Sequence, residues 1–364
     1  MSTVLFTGFP GFLGSALLPR VLARAGDTAA VCLVQSKFAA QARERAADIA
    51  REHPALGGRI RIVEGDITAA GLGLAPEECA ALRREATAVY HLAAVYDLSV
   101  GRDLAMRVNV DGTRHVLDFA AGCDALGRLH YVSTCFVSGD RPGRFMEADL
   151  ATGQRFRNFY EETKYLAEEQ VRGRMADGLP ATIYRPSVVV GDSRTGATQK
   201  YDGPYFVIQW LLRQPRLAIM PVVGRTTESH FNVVPRDFVI DAIAHLSARP
   251  ESLGTTYQLA DPRPLTVEEM LRELARATGR RLLRIPLPLA VAKWAIDRVP
   301  GVYALMRIPA SSVDYFVQPT LYDTSNATRD LAGSGIAVPP FPAYSRALVE
   351  FVRAHPEVGA AAMV

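Results

Sequence analysis

The chain has 364 residues, of which 49% are apolar and 22% are charged. This composition excludes a disordered chain, since such chains are polar and strongly charged, and it allows a sizeable buried core. The length corresponds to one large domain or two coupled ones. The formal net charge of +3 is too small to indicate a nucleic-acid partner, and no basic block supports one.

The spacing of the cysteines and the pattern at the N-terminus bear on the cellular compartment of the protein. Cys32, Cys79, Cys123 and Cys135 lie far apart with no metal-ligand spacing, which argues against a metal site or a disulfide scaffold. An apolar run begins within three residues of the N-terminus, so we expect no signal peptide. No uncharged apolar stretch approaches the ~18 residues of a spanning helix. The sequence predicts a cytoplasmic protein, with peripheral contact to a membrane as an alternative.

The first 190 residues alternate short apolar runs with amphipathic stretches. The short runs predict strands at residues 4–6, 29–34, 60–63, 88–91, 129–134 and 181–184. The longer stretches predict helices at residues 12–25, 39–50, 106–121 and 159–174. Strands of four to six residues between longer helices are typical of βαβ units, so the fold class is α/β with a parallel sheet.

This rhythm breaks after Gly191. Residues 192–230 are rich in Gly, Arg and aromatic residues and are interpreted as a substrate-side insertion. A helix at 235–246, a strand at 255–259 and a helix at 266–278 follow. Thr266 and Glu269 form the pattern of a capping box, and Gly279 ends that helix. We therefore predict a dinucleotide-binding domain of residues 1–190 and 228–262, and a smaller, mostly helical substrate domain of residues 191–227 and 263–364.

A glycine-rich loop joins the first strand to the first helix. It consists of Thr7, Gly8, Phe9, Pro10, Gly11, Phe12, Leu13 and Gly14. Glycines at these spacings permit a tight turn, close approach of main chain to a pyrophosphate, and close packing of helix on strand. The N-terminus of the following helix favours phosphate. This context predicts a doubly wound Rossmann fold that binds a dinucleotide.

The end of the second strand indicates which dinucleotide. NAD sites usually place an acid there to hold the ribose 2′-hydroxyl, but this chain has Gln35, Ser36 and Lys37, and its next acid is Glu44. A neutral or basic end tolerates a 2′-phosphate, so we favour NADP(H) and keep NAD(H) as the alternative. Asp66, after the third strand, is a candidate to accept a hydrogen bond from the adenine amino group.

A Tyr and a Lys stand four residues apart at the start of the long helix. Tyr160 and Lys164 therefore lie on one face of that helix. A free Tyr titrates near ~10, and a nearby ammonium would lower that pKa and make the phenol a better acid–base group. About 25 residues earlier, Ser133 and Thr134 end the fifth strand, where parallel sheets bind their ligands. These groups are candidate catalytic residues.

Together these motifs resemble the extended short-chain dehydrogenase/reductases. The matching segments, in the order of that family, are TGFPGFLG at 7–14, GDI at 65–67, HLAA at 91–94, NVDGT at 109–113, VSTCFVSG at 132–139, NFYEETK at 158–164 and RPSVVVGDSRTG at 185–196. The resemblance implies a catalytic Thr134, Tyr160 and Lys164, with Ser133 as the adjacent alternative hydroxyl. It implies further cofactor-side residues at Ile67, Ala93, Ala94, Asn109, Pro186, Ser187 and Val188, of which Asn109 has a structural character.

Within that family the chain is similar to the fatty-acyl and thioester reductase-like, or male-sterility, branch. This resemblance implies an NADPH-dependent reductase of a hydrophobic acyl substrate, with a fatty acyl-CoA or carrier-linked thioester reduced to an aldehyde or alcohol. The alternatives are a ketoreductase of a lipid-like ketone, a sugar-nucleotide epimerase and a non-catalytic nucleotide-sensing scaffold. The expected partner is the small-molecule or carrier-linked substrate, and the family habit is a monomer or homodimer.

The predicted substrate side is apolar. Residues 201–213 are rich in aromatic and aliphatic residues, and residues 287–298 place Leu287, Val291, Trp294 and Ala295 on one helical stripe. Val302, Leu305, Met306 and Ile308 continue the apolar pattern. Two interpretations stay open: these side chains form the core of the smaller domain, or they form a tunnel or a lid for an acyl chain, with a membrane surface as one setting for the lid.

Overall fold

The computed structural model describes residues 2–98, 100–298 and 314–359. Within these ranges the strands are β1 (Ser2–Thr7), β2 (Thr28–Val34), β3 (Ile60–Glu64), β4 (Ala86–His91), β5 (Arg128–Val132), β6 (Gly143–Phe145), β7 (Ala181–Pro186), β8 (Val188–Val190), β9 (Leu217–Val223), β10 (Val233–Pro235), β11 (Thr256–Leu259), β12 (Arg281–Leu287) and β13 (Thr320–Tyr322). The α-helices are α1 (Gly14–Leu22), α2 (Ala39–Glu52), α3 (Pro76–Glu85), α4 (Arg102–Ala105), α5 (Gly112–Ala121), α6 (Phe159–Ala176), α7 (Pro204–Leu212), α8 (Arg236–Ala248), α9 (Val267–Thr278), α10 (Leu289–Arg298), α11 (Ser325–Leu331) and α12 (Phe341–Ala354).

The centre of the molecule is a seven-stranded parallel sheet in the order β11-β7-β5-β4-β1-β2-β3. All seven strands were predicted from the apolar runs, so the α/β fold class is confirmed. The fifth run is shorter than predicted, because β5 ends at Val132. Ser133 and Thr134 therefore lie just beyond the carboxyl end of the sheet, where a ligand can reach them.

Helices cover both faces of this sheet, as successive side chains of its strands point in opposite directions. In β1, Phe6 packs with the α1 and α8 side, which includes Leu17 and Ile243. Its neighbour Leu5 packs with the α5 and α6 side, which includes Val116. Burial on both faces explains why the strands are continuous apolar runs without polar alternation.

A second apolar cluster forms the substrate side. It joins α7, α9 and α12 through side chains such as Tyr205, Leu271 and Leu348. The predicted capping box is confirmed, because Thr266 accepts from the Glu269 backbone and Glu269 accepts from the Thr266 backbone. The strands β9 and β12 pair in parallel here. Neither strand was predicted, and each contains a proline, Pro221 in β9 and Pro286 in β12, a residue that argues against a strand.

The C-terminal part returns to the large sheet. Strand β13 pairs with β6, and α11 packs against β11 and α8. The buried carboxylate of Glu147 accepts backbone hydrogen bonds from Gln258 at 2.9 Å and from Asn326 at 2.5 Å. Residues 320–331, which the sequence assigned to the substrate domain, thus contact the dinucleotide-binding unit directly.

The apolar stripe predicted at residues 287–298 is only partly buried. Leu287 ends β12 and the helix begins at Leu289, so Leu287 does not belong to its stripe. Val291 is 47% exposed and Trp294 is 60% exposed, which contradicts burial of this stripe in a core or an acyl tunnel. The side chain of Ala295 and residues 302–308 lie outside the described residues.

Candidate active site

The glycine-rich loop is shaped by its own close contacts. A side chain at Gly14 would overlap the carbonyl oxygen of Gly8, and one at Gly8 would lie 2.8 Å from the backbone nitrogen of Ala93. Gly8 also has a φ of +88°, which favours glycine. The loop from Thr7 to Gly14 lines one end of a cavity of about 580 Å³. This cradle of bare main chain beside the start of α1 fits a dinucleotide pyrophosphate.

The cavity continues past the other cofactor-side residues predicted from the sequence. Its wall includes Gln35, Lys37, Ile67, Ala93, Ala94, Pro186, Ser187 and Val188. Ser36, Asp66 and Asn109 do not line it. Asn109 is buried and binds both backbone polar groups of Val95 and the hydroxyl of Thr163, which fits the structural character expected of it.

Two acidic groups lie near the end of β2, namely Asp66, the predicted adenine contact, and Glu64, which was not predicted. Glu64 ends β3 beside Val34, accepts from Arg43 at 2.6 Å and also interacts with Ser36. Asp66 accepts from the Gln35 amide at 3.0 Å and from the Thr68 backbone. Glu64 reaches this place because the parallel register of β3 puts its last residue at the same edge of the sheet as the end of β2.

Thr134 and Tyr160 come together at the centre of the cavity. Asn158 caps α6 by accepting from the Glu161 backbone at 3.0 Å, which fixes the first turn that carries Tyr160. The Thr134 hydroxyl lies close enough to the Tyr160 phenol to lower its pKa, and Lys164 lines the same cavity. The alcohol, the phenol and the amine predicted from the sequence therefore line one cavity.

The pKa of Tyr160 is raised in the structure, whereas the sequence predicted that it would be lowered. Burial raises its pKa, and the Thr134 hydroxyl opposes that rise without cancelling it. The Lys164 nitrogen does not bond to this phenol but donates to the Tyr131 hydroxyl at 2.9 Å and to the Val132 carbonyl at 2.8 Å. Without a bound cofactor, Tyr160 is thus a protonated donor at neutral pH.

Lys164 is itself perturbed by its surroundings. It is almost fully buried, and this burial lowers its pKa to about 7, while the Glu168 carboxylate acts in the opposite direction. Glu168 follows one helical turn later and is fully buried with Arg185, whose guanidinium contacts it at 2.6 Å. Burial alone would raise the pKa of Glu168, but Arg185 outweighs this and keeps it ionised.

The same carboxylate decides between the two candidate hydroxyls. Ser133 donates to Glu168 at 2.6 Å, so its hydroxyl is held away from Tyr160. Thr134 is the hydroxyl that faces the phenol. Glu168 and Arg185 were not predicted as site residues, although the four-residue spacing between Lys164 and Glu168 was a usable signal.

A buried row of polar groups leads from β5 to the glycine-rich loop. Tyr131, the partner of Lys164, lies close enough to Thr113 for that hydroxyl to oppose the rise of its pKa. His91 bonds to Thr113 at 3.0 Å and to the Thr7 hydroxyl at 2.7 Å. Burial lowers the pKa of His91 to about 3, and the nearby Lys164 charge adds to this. A neutral imidazole therefore fixes the position of Thr7.

The opposite end of the cavity is largely apolar but also carries the charged residues Asp97, Lys200 and Asp202. Aromatic side chains dominate its wall, namely Phe136, Phe206, Phe231 and Phe316. Lys200 and Asp202 are the charged pair at this end, beside Tyr96. Within the described ranges no group of three His, Cys, Asp or Glu residues is arranged to hold a metal ion, and none of the helices found there has the length and hydropathy to span a bilayer.

Comparisons with known proteins identify the family. A family model described as "Male sterility protein" matches residues 6–243. A non-canonical nonribosomal peptide synthetase from Aspergillus campestris is 27% identical over 355 residues, which are 90% of this chain and 33% of that protein. The chain thus spans about a third of the length of that curated relative.

Two solved structures are similar over nearly the whole chain. The terminal R domain of the myxalamid PKS-NRPS biosynthetic pathway has a TM-score of 0.83 and 29% identity, covering 98% of this chain and 92% of that one. The reductase domain of a Mycobacterium tuberculosis non-ribosomal peptide synthetase has a TM-score of 0.71 and 22% identity, with the same coverages. At that identity the second likeness concerns the fold alone. Since the family model covers more than half of it, the chain belongs to the male sterility protein family, an NAD-binding group of oxidoreductases within the extended short-chain dehydrogenases/reductases.

Proposed function

We propose that this protein is an NADPH-dependent reductase of acyl thioesters, which it converts to the aldehyde or alcohol. The observation that carries the proposal is the placement of Thr134, Tyr160 and Lys164 together in the cavity between the glycine-rich loop and an apolar pocket. The similar R domain and the peptide synthetase relative support a substrate linked to a carrier or to coenzyme A.

The chemistry requires a donor aimed at the substrate carbonyl oxygen. A bound nicotinamide supplies the hydride for the carbonyl carbon. The hydroxyls of Thr134 and Tyr160 stabilise the negative charge that develops on the oxygen, and Tyr160 gives that oxygen its proton. The raised pKa of Tyr160 keeps the proton available at neutral pH. Lys164 provides the adjacent positive charge.

The first product of a thioester is a hemithioacetal. Loss of its hydroxyl proton and cleavage of its carbon–sulfur bond give an aldehyde, and the departing thiolate takes up a proton. Once a second NADPH has replaced the NADP+ formed in the first step, its hydride can reduce the aldehyde to the alcohol, with the same residues donating to the oxygen. A ketone would stop at a secondary alcohol, and because these residues suffice for both reactions, the substrate must be tested directly.

The test is NADPH consumption against long-chain acyl-CoA, long-chain ketones and UDP-sugars. We expect turnover of the acyl-CoA with release of free coenzyme A, measured with a thiol reagent, in proportion to the NADPH consumed. Turnover of ketones or UDP-sugars without turnover of any thioester would overturn the proposal in favour of a ketoreductase or an epimerase. Dinucleotide binding without turnover of any of them would favour a sensor.

The cofactor preference gives a separate prediction. Lys37 lines the cavity, but Glu64 and Asp66 lie at the same edge and reduce the positive potential there. We expect kcat/KM to favour NADPH over NADH by about tenfold, one well-placed charge being worth roughly 1.4 kcal/mol. Lys37→Ser should reduce this ratio and Glu64→Gln should increase it. A tenfold preference for NADH would contradict the assignment.

Thr134 and Ser133 form a matched pair for mutation. Thr134→Val should lower kcat/KM by about 100-fold, because it removes one donor to the developing oxyanion, and it should also lower stability, because the hydroxyl accepts from the Phe136 backbone at 3.2 Å. Ser133→Ala should lower the free energy of unfolding by about 1–3 kcal/mol, since Glu168 loses a buried hydrogen bond, with a much smaller effect on kcat/KM. Kinetics and denaturant unfolding of both variants test the assignment, and the reverse pattern would make Ser133 the catalytic hydroxyl.

A further inference from the structure

The ion pair at the apolar end of the cavity is not used by the reduction chemistry. The Lys200 nitrogen lies 3.3 Å from a carboxylate oxygen of Asp202 and 4.7 Å from the centre of the Tyr96 ring. The side chain of Lys200 is 11% exposed and that of Asp202 is 35% exposed. All three residues line the cavity that contains Thr134 and Tyr160. The exposed part of this pair therefore faces the cavity.

The apolar surroundings of Lys200 and Asp202 make burial of this ion pair unfavourable for stability. Phe206, Phe231 and Phe316 line the same end, and removing two charges from water is only partly offset by their attraction. Burial raises the pKa of Asp202, and the Lys200 ammonium opposes that rise. Asp202 and Tyr96 also act electrostatically on Tyr160. The pair thus lies within electrostatic reach of the reacting centre.

The segment around Lys200 and Asp202 is held in place by contacts other than this ion pair. The intervening residue Tyr201 already binds the C-terminal segment, through its backbone nitrogen to Gly359 at 2.9 Å and through its hydroxyl to His355 at 2.8 Å. Helix α7 is held in addition by Tyr205, whose hydroxyl accepts from the Gly191 backbone at 2.8 Å. The two charged side chains are consequently presented from a segment that other contacts hold in place.

The charges of the pair restrict what can bind to it. A substrate carboxylate would be repelled by Asp202 and by Asp97, which acts on Asp202, and a substrate ammonium would be repelled by Lys200. A hydroxyl group meets both requirements, because its oxygen can accept from Lys200 while its proton is donated to Asp202. The aromatic wall around the pair suits the hydrocarbon part of the same molecule.

We propose that Lys200 and Asp202 form a specificity-determining subsite that binds a hydroxyl group on the acyl chain of the substrate. The favoured substrate class is accordingly a hydroxyacyl thioester, in preference to a plain alkyl thioester. This inference rests on the proposed reductase function and adds a substrate class to it. The subsite acts through binding and orientation, and it takes no part in hydride or proton transfer.

The experiment compares octanoyl-CoA with 3-, 5- and 7-hydroxyoctanoyl-CoA. For the wild type we expect kcat/KM of at least one hydroxy isomer to exceed that of octanoyl-CoA by about 10- to 100-fold, the range of a hydrogen bond to a charged group. Lys200→Met and Asp202→Asn should each reduce this ratio to about threefold or less. The ratio is measured within each variant, so a loss of folded enzyme does not affect it.

Lys37→Met is the matched control, because Lys37 lies at the cofactor end of the cavity. This change should lower kcat/KM for all substrates by a similar factor and leave the hydroxy preference intact. The proposal is overturned if no hydroxy isomer is preferred by the wild type, or if the preference survives in both Lys200→Met and Asp202→Asn.

The matched aldehydes separate this inference from the proposed function. Octanal and the corresponding hydroxyoctanals need no thioester cleavage but occupy the same cavity. If no thioester is reduced while the aldehydes are, thioester reduction fails as the function, and the aldehyde ratios still test the subsite. If thioesters are reduced without any hydroxy preference, the subsite fails and the proposed function stands.

Discussion

Tyr160→Phe is expected to lower kcat by about 10²- to 10⁴-fold, the usual contribution of a positioned general acid. The phenol that it removes is the proposed proton donor to the substrate oxygen and lies beside the Thr134 hydroxyl. The ring itself stays, so the binding of the dinucleotide should be almost unchanged. Steady-state kinetics and a fluorescence titration with NADPH measure the two effects separately.

Tyr165→Phe is the matched control on the same helix. The Tyr165 hydroxyl donates to Glu169 at 3.2 Å on the outer side of α6, so its removal should leave kcat unchanged. A Tyr160→Phe variant with more than half of the wild-type kcat would refute the assignment of Tyr160 as the proton donor.

Lys164→Met is expected to remove most of the activity and also to change how stability depends on pH. In the unliganded protein, burial lowers the pKa of Lys164 to about 7, whereas an unfolded Lys titrates near ~10.4. Between these two values the unfolded chain holds a proton that the folded protein lacks. The contribution of Lys164 to the free energy of unfolding therefore rises with pH across this window.

The expected change in the free energy of unfolding follows from the pH range between the folded and the unfolded pKa of Lys164. The slope approaches ~1.4 kcal/mol per pH unit, so the stability of the wild type relative to Lys164→Met should increase by about 2 kcal/mol from about pH 7.5 to about pH 9.5. Burial raises the pKa of Tyr131 far above its ordinary value, so this neighbour does not titrate in the window.

Denaturant unfolding of both proteins without dinucleotide, at these two pH values, checks the prediction. All other groups titrate in both proteins, so the difference isolates Lys164. A difference that stays constant with pH would show that Lys164 keeps its ordinary pKa in the folded protein, as it would if Glu168 offset the whole cost of burial.

The sequence predicted most of the large sheet and three candidate residues that line one cavity, because both depend on local patterns. Apolar runs identify strands that are buried on both faces, and the spacing of Tyr160 and Lys164 fixes their common helix face. The choice of Thr134 over Ser133 followed from a family resemblance, and in the structure the Ser133 hydroxyl bonds to Glu168.

Features that depend on distant parts of the chain were missed. Glu64 comes to the end of β2 only through the register of β3, and Arg185 reaches Glu168 across the sheet. The pKa of Tyr160 was predicted to fall because a cation was near in sequence, yet the Lys164 nitrogen bonds to Tyr131 and burial dominates. The exposed Trp294 shows that an apolar helical stripe does not by itself establish burial.

The carboxylate of Glu147 limits how this chain can be divided. Its hydrogen bonds fasten the start of α11 to β11, at the edge of the catalytic sheet. A fragment cut after residue 262 would retain every glycine of the loop together with Tyr160 and Lys164, but its buried Glu147 would lose the donors of Asn326 and Ala327. A protein truncated after residue 262 should consequently be less stable and unsuited to domain exchange. An exchange limited to the segment around Lys200 would keep the hydrogen bonds of Glu147.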